Sequence, residues 1–152
     1  RIKGHLVNRN NIMLKELLPS DLNDGTNQQV HRLFEQLNAT ISQRKASQIA
    51  NTDNTIFMTY WDDSQIVGIA LMATYEVISG HKGMIEDVVV NQNYRGQGIG
   101  KKLIMALLEK GKRLQLDEIL LFSGHHRKPA IHLYTSLGFK LKDSGLYRLP
   151  LS

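Results

Sequence analysis

Apolar residues recur along this chain with two different spacings, which separate predicted strands from predicted helices. Residues 55–61 and 66–77 are rich in aromatic and β-branched side chains, and the polar turn 62–65 separates them. Two such segments joined by a four-residue turn predict an antiparallel hairpin. Three further strands are predicted at residues 12–18, 84–90 and 118–122.

Apolar residues at helical spacing predict four helices around these strands. The first begins near Pro19, and a second, short helix ends near Ala50. The third begins at Gly98 and carries lysines on the side opposite its apolar residues. Pro129 suits the first turn of the fourth helix, and Gly138 suits its C-terminal end.

The last part of the chain predicts a closing hairpin, with strands at residues 139–141 and 146–149 around a polar turn. The pattern therefore predicts one α+β domain spanning residues 1–152. Its sheet is mixed and mostly antiparallel, with about seven strands flanked by about four helices. Residues 1–11 are polar and aperiodic, and we expect them to form a loosely held terminus.

The composition of the chain excludes several kinds of site and several classes of protein. The 152 residues are 41% hydrophobic and 22% charged, as in ordinary globular domains. The absence of cysteine excludes disulfides, thiolate metal sites and cysteine nucleophiles, and it agrees with the cytoplasmic location that we expect. No apolar run reaches the roughly 18 residues of a membrane helix and no signal peptide opens the sequence, so we expect no membrane partner.

The net charge of +5, from 19 Lys and Arg against 14 Asp and Glu, favours an anionic ligand. The positive residues are scattered apart from short clusters at residues 101–102, 110–113 and 127–128. No arginine-rich arm or aromatic-basic RNA motif is present, so we expect no nucleic-acid partner. A small ligand that carries phosphate fits this charge distribution better.

A glycine-rich turn offers a place for such a ligand. Between the valine-rich strand and the third predicted helix lies the segment Arg95-Gly96-Gln97-Gly98-Ile99-Gly100-Lys101. A helix N-terminus presents unpaired N–H groups and the positive end of the helix dipole. Glycine lets the backbone approach a ligand closely and adopt left-handed angles. The turn therefore predicts a phosphate site, and a ligand-free structural turn is the alternative.

The spacing of the glycines excludes two common nucleotide motifs. A Walker A loop needs four residues between its first Gly and the Gly-Lys pair, whereas three separate Gly96 from Gly100. A dinucleotide fingerprint needs G-x-G-x-x-G, whereas the chain has G-x-G-x-G followed by Lys101.

Two motifs resemble those of the GNAT superfamily of N-acetyltransferases. Arg95-x-x-Gly98-x-Gly100 after a valine-rich strand resembles its acetyl-CoA signature. The segment Ala130-Ile131-His132-Leu133-Tyr134-Thr135-Ser136-Leu137-Gly138-Phe139 resembles its A-x-x-L-Y-x-x-x-G-F motif. The similarity covers roughly residues 55–149. Residues 85–100 look especially like glucosamine-6-phosphate N-acetyltransferases, whereas residues 122–150 look more like other bacterial members, so the acceptor does not follow.

The resemblance implies a GNAT-like fold with acetyl-CoA as co-substrate. The strand carrying Val88, Val89 and Val90 would pair through its backbone with the pantetheine arm. The N–H groups of Gly96, Gln97, Gly98, Ile99, Gly100 and Lys101 would hold the pyrophosphate. Family members commonly have Asn seven residues before the motif tyrosine, where this chain has Arg127. Arg127 would either reach a CoA phosphate or be an ordinary surface arginine.

The resemblance also implies catalytic roles. Tyr134 is the expected acid at the departing sulfur, and Glu86 is the first choice for the base that takes the proton of the amine. A backbone N–H near Val88 or Val89 would polarise the carbonyl. Neighbouring residues on a strand point to opposite faces, so at most one of Glu86 and Asp87 faces the acetyl group.

The histidines provide alternative bases rather than a metal site. His81 and His126 are further candidates for the base or the acceptor site. His125, His126 and His132 lack a carboxylate at ligand spacing, so we expect no metal.

The sequence therefore predicts an acyltransferase that moves the acetyl group of acetyl-CoA directly to a primary amine of a small molecule or peptide. The alternatives are a non-catalytic acetyl-CoA sensor or regulatory module and a basic scaffold module, and the intact Tyr134 argues against the sensor. Homodimers are frequent in the family, so a homodimer is possible here. The sequence leaves both the oligomeric state and the acceptor amine open.

Overall fold

A computed structural model describes residues 11–151 of the chain. These residues divide into two compact units, the first ending at Phe122 and the second beginning at Ser123. The loosely held terminus predicted at residues 1–11 lies outside the described residues except for Asn11. None of the helices within residues 11–151 has the length and hydrophobicity of a membrane-spanning helix.

The first unit contains a five-stranded sheet and three α-helices. The strands are β1 (Ile12–Glu16), β2 (Thr55–Asp62), β3 (Gln65–Val77), β4 (Gly80–Val90) and β5 (Glu118–Leu121). The helices are α1 (Asp24–Glu35), α2 (Ala46–Ile49) and α3 (Ile99–Arg113), with short 3₁₀ helices at Pro19–Asp21 and Gln92–Tyr94. In the second unit, α4 spans Lys128–Ser136.

The strands follow one another across the sheet in chain order, β1-β2-β3-β4-β5. Neighbouring strands are antiparallel except β4 and β5, which are parallel. The mixed, mostly antiparallel sheet and the hairpin of β2 and β3 confirm the predictions from the sequence. A parallel pair needs a long crossover, and α3 provides it between β4 and β5.

The helices of the first unit lie on both faces of the sheet. Ile69 and Leu71 of β3 belong to the same core cluster as Val30 and Leu33 of α1. Gly68 instead faces α3, where an added Cβ would lie 3.0 Å from the side chains of Ile99 and Leu103. Alternate strand residues point to opposite faces, so α1 and α3 cover opposite sides of β3.

The predicted count of about seven strands is wrong for the described residues, which contain five. The two missing strands are those of the closing hairpin at residues 139–141 and 146–149, where no strand forms. The side chains of Leu141, Leu146, Tyr147 and Leu149 are exposed. Two segments of three and four residues form only a marginal hairpin without a buried face, so apolar content there does not produce a ladder.

The first predicted helix also begins later than expected. Pro19–Asp21 is a separate 3₁₀ helix, and α1 begins after Asn23. The Asn23 side chain accepts a hydrogen bond from the Thr26 backbone N–H at 2.9 Å, which satisfies a free donor of the first turn.

The packing of α3 on the sheet predicts which α3 side chains stabilise the first unit. Leu103 is 0% exposed and Met105 is 51% exposed. Leu103→Ala should lower the free energy of unfolding by about 2–5 kcal/mol because it leaves a cavity in the core. Met105→Ala on the same helix is the matched control and should change it by about 0.5 kcal/mol or less. Urea unfolding measures both, and equal losses would contradict this packing.

Candidate functional site

One edge of β4 is only partly covered within the first unit. β5 pairs with β4 from Lys82 to Ile85, and the pairing ends there. On the other edge, β3 continues to pair with β4 as far as Val90. In residues 11–122 no strand covers the second edge of residues 86–90. An extended ligand can bind to such an edge as an added strand does.

A β-bulge marks the point where the pairing with β5 ends. Glu86 pairs with Leu71 and Val89 pairs with Ile69, so two residues of β4 lie opposite Ala70 alone. One of them, Asp87, has a φ of 53°, in the left-handed region. A bulge bends its strand and increases the local twist. The bend therefore explains why β4 leaves β5 immediately after Ile85.

The bulge also places the two carboxylates differently from the strict alternation that the sequence predicts. Glu86 is paired with Leu71, and residues paired across antiparallel strands project to the same face. Asp87 and Leu71 both line a cavity on that face. Burial raises the pKa of Glu86, and the neighbouring charge of Asp87 raises it further. Burial also raises the pKa of Asp87.

The cavity has a volume of about 300 Å³ and lies beside α1, α2 and the segment between them. Its apolar lining is Val30, Phe34, Ile41, Ala46, Ile49, Phe57, Ile69 and Leu71, and its polar lining is Ser42, Gln43, Arg44 and Asp87. Neither Arg44 nor Asp87 has a hydrogen-bond or ion-pair partner in the part of the chain that the structure describes. Sequence reasoning missed this cavity because residues 41–46 contain no recognisable motif.

The loop after β4 is anchored to the sheet before it reaches the glycines. The Tyr94 hydroxyl donates a 2.7 Å hydrogen bond to Oδ2 of Asp62 at the end of β2. The Arg95 Nε donates to the Val90 carbonyl oxygen at 3.2 Å, so the Arg95 side chain folds back on the end of β4. The backbone N–H of Asn91 donates to Val67 O at 2.8 Å. These contacts fix the position from which the glycine turn begins.

The glycine turn itself is shaped by backbone angles and not by packing. Gly96 and Gly98 have φ values of 78° and 77°. A Cβ at either position would meet no atom of residues 11–151 within 4 Å. Left-handed angles cost other residues about 1–2 kcal/mol, so glycine is the residue that holds this turn without strain. The space in front of the turn is open, and Gln97 is exposed between the two glycines.

The N-terminus of α3 lies at the end of this turn without a side-chain cap. Gly98 is the N-cap, and the helix hydrogen bonds begin with Lys102 N donating to Gly98 O at 3.1 Å. The amides of Ile99, Gly100 and Lys101 therefore precede the hydrogen-bonded ladder, where helix donors are free for an anion. Lys101 is exposed. Lys102 is exposed as well, and its ammonium lies 5.7 Å from the centroid of the Tyr60 ring.

In the second unit, the end of α4 explains part of the second motif. The N–H of Phe139 donates to Tyr134 O and that of Gly138 donates to Thr135 O, each at 3.1 Å. With Gly138 at a φ of 95°, these bonds form a Schellman cap. The rings of Tyr134 and Phe139 lie edge to face, 6.1 Å apart. Gly138 therefore ends the helix, as predicted, and Phe139 packs against the tyrosine ring.

The Tyr134 hydroxyl has no hydrogen-bond partner among residues 123–151. Burial raises the pKa of Tyr134, and the positive charge of Arg127 opposes this rise. Tyr134 therefore stays protonated at neutral pH. Arg127 is the exposed N-cap residue of α4.

The structure brings together the predicted residues of the first unit along one continuous stretch of chain. Glu86 and Val88–Val90 line the open edge, with Val89 buried, and Arg95–Lys101 form the turn that follows. Arg127, His126 and Tyr134 lie in the second unit. His81 lies five residues before Glu86, about 16 Å along β4. It lines a different depression, together with the ion pair of Lys110 and Glu16.

Most of the sequence matches a known family of proteins. The profile described as "Acetyltransferase (GNAT) family" matches residues 15–139. The chain belongs to the GNAT family. Members of this family use acetyl-CoA as co-substrate.

Curated relatives of this GNAT protein are N-acetyltransferases. N-alpha-acetyltransferase 30 of Saccharomyces cerevisiae is 38% identical over 58 residues, which cover 38% of this chain and 33% of the relative. Glucosamine 6-phosphate N-acetyltransferase of Trypanosoma brucei brucei is 43% identical over 61 residues, which cover 40% of each. The match thus spans about a third to two fifths of the length of these relatives.

Solved structures agree on the fold. An aminoglycoside acetyltransferase from an uncultured soil metagenomic sample matches with a TM-score of 0.80 and 22% identity, over 93% of this chain and 96% of that one. An acetyltransferase of Trypanosoma brucei matches with a TM-score of 0.75 and 26% identity, over 92% and 99% of the two chains. The sheet and helices described above are therefore the GNAT fold.

The raised pKa values of Glu86 and Asp87 predict a pH-dependent cost in stability. A carboxyl whose pKa is raised on folding destabilises the folded state when ionised, and this cost disappears below the ordinary pKa of the group. The ordinary values are 4.5 for Glu86 and 3.8 for Asp87. Glu86→Gln and Asp87→Asn should therefore melt at a higher temperature than the parent at pH 7, and the difference should vanish as the pH falls below these values.

Asp53→Asn, which changes an exposed carboxylate before β2, is the matched control and should give no such gain. Melting curves between pH 3 and pH 8 measure all three variants. A loss of stability at pH 7 in Asp87→Asn would contradict the absence of a partner for this carboxylate.

Proposed function

We propose that this GNAT protein transfers the acetyl group of acetyl-CoA directly to a primary amine of a small molecule or peptide. The observation that carries the proposal is the continuity of three features in the first unit. The open edge of residues 86–90 leads into the glycine turn. The turn leads to the N-terminus of α3, which has no side-chain cap. One elongated ligand with an extended amide-containing arm and a pyrophosphate matches this order.

The two ends of acetyl-CoA would bind by different physical means. The pantetheine arm contains amide groups and would pair with the backbone of Val88–Val90 as a short strand does. The pyrophosphate would accept hydrogen bonds from the amides of residues 96–101, with the helix dipole and the Lys101 ammonium adding positive potential. The Arg95 side chain holds the turn against the Val90 carbonyl, so its role is to position these amides.

The reaction needs a proton acceptor and a proton donor. The lone pair of the neutral amine attacks the thioester carbonyl carbon, the C–S bond breaks, and the amine nitrogen loses a proton while the CoA sulfur gains one. Glu86 would accept the amine proton, directly or through water, and Tyr134 would donate to the departing sulfur. A backbone N–H near Val88 or Val89 would stabilise the negative charge that develops on the carbonyl oxygen.

Local observations support these two roles. Partial burial and the charge of Asp87 raise the pKa of Glu86, which makes it a stronger base than a glutamate with an ordinary pKa. The raised pKa of Tyr134 keeps its hydroxyl protonated, and the hydroxyl has no hydrogen-bond partner among the described residues of its own unit. A non-catalytic acetyl-CoA sensor is the alternative function, and it would need neither group.

Acetyl-CoA binding is the first test of the proposal. Acetyl-CoA should raise the melting temperature because a ligand specific for the native state stabilises it by mass action. NAD and ATP at the same concentration should raise it much less. Equal shifts from all three ligands would indicate a general anion site instead.

Substitution of Gly98 tests the location of the binding site. Gly98→Val forces a β-branched residue into a left-handed angle and should weaken acetyl-CoA binding by at least about tenfold, since a strained turn redirects the amides. Gly145→Val, in an exposed irregular segment of the second unit, is the matched control and should retain the affinity. Calorimetry measures both, and an unchanged affinity in folded Gly98→Val would place the phosphate site elsewhere.

The two catalytic roles are separated by the pH dependence of kcat/KM. Tyr134→Phe should lower kcat by about 10–100-fold with little change in the acetyl-CoA KM, because the lost hydrogen bond strengthens as the thiolate forms. In Tyr134→Phe, the high-pH limb of the profile should also shift relative to that of the parent. Glu86→Gln should have its largest defect at low pH, and the defect should shrink as the amine deprotonates unaided.

Steady-state assays of CoA release across pH 6–10 measure both profiles. A Glu86→Gln profile parallel to that of the parent would transfer the role of base to another group such as His126, because His81 lines a different depression. Full activity in Tyr134→Phe would show that the thiolate leaves without help. Acetyl-CoA binding with no transfer to any amine would favour the sensor.

A further inference from the structure

We propose that the cavity lined by Asp87 binds the acceptor, and that this acceptor is a small primary monoamine with an apolar body rather than an amino sugar. The inference rests on the proposed acetyl transfer and adds the chemical class of the second substrate. It is carried by the composition, charge and size of the cavity, whose lining residues do not include those of the segments 88–90 and 96–101 that are proposed to bind acetyl-CoA.

The lining of the cavity favours an apolar body. Eight of its twelve lining residues are apolar, including the aromatic rings of Phe34 and Phe57. A hydroxyl buried without a hydrogen-bond partner costs about 1–3 kcal/mol in proteins. An amino sugar carries several hydroxyls that need hydrogen-bond partners. Four of the twelve lining residues are polar, namely Ser42, Gln43, Arg44 and Asp87. An alkyl or aryl group instead removes apolar surface from water on both sides of the contact.

The charges of the cavity favour a single ammonium group. Asp87 is its one lining carboxylate among the described residues, and Arg44 is its one lining cation. The partnerless Asp87 carboxylate can pair with one ammonium, and Glu86 lies beside it on the same face to take a proton. A second ammonium on the ligand would meet the positive charge of Arg44 without a further lining carboxylate. Polycationic acceptors such as aminoglycosides therefore fit this charge pattern poorly.

Asp87 lies close to both the proposed base and the proposed position of the acetyl group, as the proposal requires. The bulge places its side chain toward the cavity directly beside Glu86 and next to Val88, where the acetyl group is proposed to lie. An ammonium paired with Asp87 is thus adjacent to both the proposed base and the proposed thioester. The volume of about 300 Å³ lies at the lower end of the range of ligand pockets, which suits a small amine.

The first experiment compares acceptors with the intact protein at saturating acetyl-CoA, by measuring CoA release. The probes are 2-phenylethylamine and isoamylamine as apolar monoamines, glucosamine 6-phosphate, the aminoglycoside sisomicin, and a peptide with a free N-terminus. The two monoamines should have a kcat/KM at least about tenfold above those of the other three, a ratio that pocket contacts of this kind commonly provide.

The outcomes separate this inference from the proposed function. Transfer that is equal or faster with the amino sugar, the aminoglycoside or the peptide overturns the acceptor class and leaves acetyl transfer established. Normal acetyl-CoA binding with no transfer to either monoamine overturns this inference, and the absence of transfer to all five probes favours the sensor over the proposed function.

The second experiment tests the cavity by paired substitutions. Ile41 lines the cavity and is 54% exposed, so Ile41→Ser should leave the fold intact. It should raise the KM for 2-phenylethylamine by about 3–10-fold with kcat retained, because it removes uniform binding. Ile12→Ser is the matched control, since Ile12 is 49% exposed on β1 and does not line the cavity.

Asp87→Asn preserves shape, and asparagine tolerates the left-handed angle at this position. It should raise the KM for the amine by about tenfold or more while the acetyl-CoA affinity stays within about twofold of the parent, since the lost ion pair concerns the amine alone. Asp53→Asn should change neither constant. Unchanged KM values in both Ile41→Ser and Asp87→Asn would overturn the assignment of the cavity to the acceptor.

Discussion

The β-bulge at Asp87 is the constraint on which the rest of the first unit depends. An extra residue opposite Ala70 bends β4 and ends its pairing with β5 at Ile85. The same extra residue interrupts the alternation of side chains, so that Glu86 and Asp87 no longer point to opposite faces. One irregularity thereby creates an open strand edge and gathers two carboxylates beside a cavity. The left-handed φ of Asp87 and the raised pKa values of both groups are energetic costs held by the surrounding sheet, as is common at functional sites.

The glycine turn depends on a second set of contacts. These contacts fix the chain on both sides of the turn, whereas the space in front of the glycines is open. Tyr94 is tied to Asp62, and α3 packs against Gly68 through Ile99 and Leu103. Between these anchors, a Cβ added at Gly96 or Gly98 would meet no atom of the described residues within 4 Å. The turn is therefore preorganised by its ends, and its amides are free in the middle. Binding to such a turn requires little ordering of the chain, which preserves affinity.

The sequence predicted those parts of the fold that depend on local chemistry. The β2–β3 hairpin, the start of α3 at Gly98 and the end of α4 near Gly138 follow from periodicity and from glycine angles, which neighbouring residues determine. The bulge was not predictable in this way. It depends on the register between β3 and β4, and the residues Asp87-Val88-Val89 look like an uninterrupted strand. The cavity is equally non-local, because α1, α2, β2, β3 and β4 all contribute to it.

The prediction of the closing hairpin was wrong for a related reason. Apolar residues such as Leu141 and Tyr147 predict strands only if a partner covers them, and the pattern of residues 139–149 cannot specify a partner. The motif around Tyr134 shows the opposite case. Its Gly138 and Phe139 have an immediate structural role in capping α4, and Tyr134 contributes its ring to that cap. The hydroxyl of Tyr134 is the part of the motif that capping does not use.

The central claim is that one ligand, acetyl-CoA, occupies both the open edge of β4 and the N-terminus of α3. Amide hydrogen exchange of the full chain, with and without acetyl-CoA, tests it most directly because exchange reports protection of individual backbone segments. The account predicts that acetyl-CoA slows exchange in both residues 86–90 and residues 96–101, whereas inorganic pyrophosphate slows it in residues 96–101 alone. Protection by acetyl-CoA that spares residues 86–90, or that lies mainly outside both segments, would contradict it.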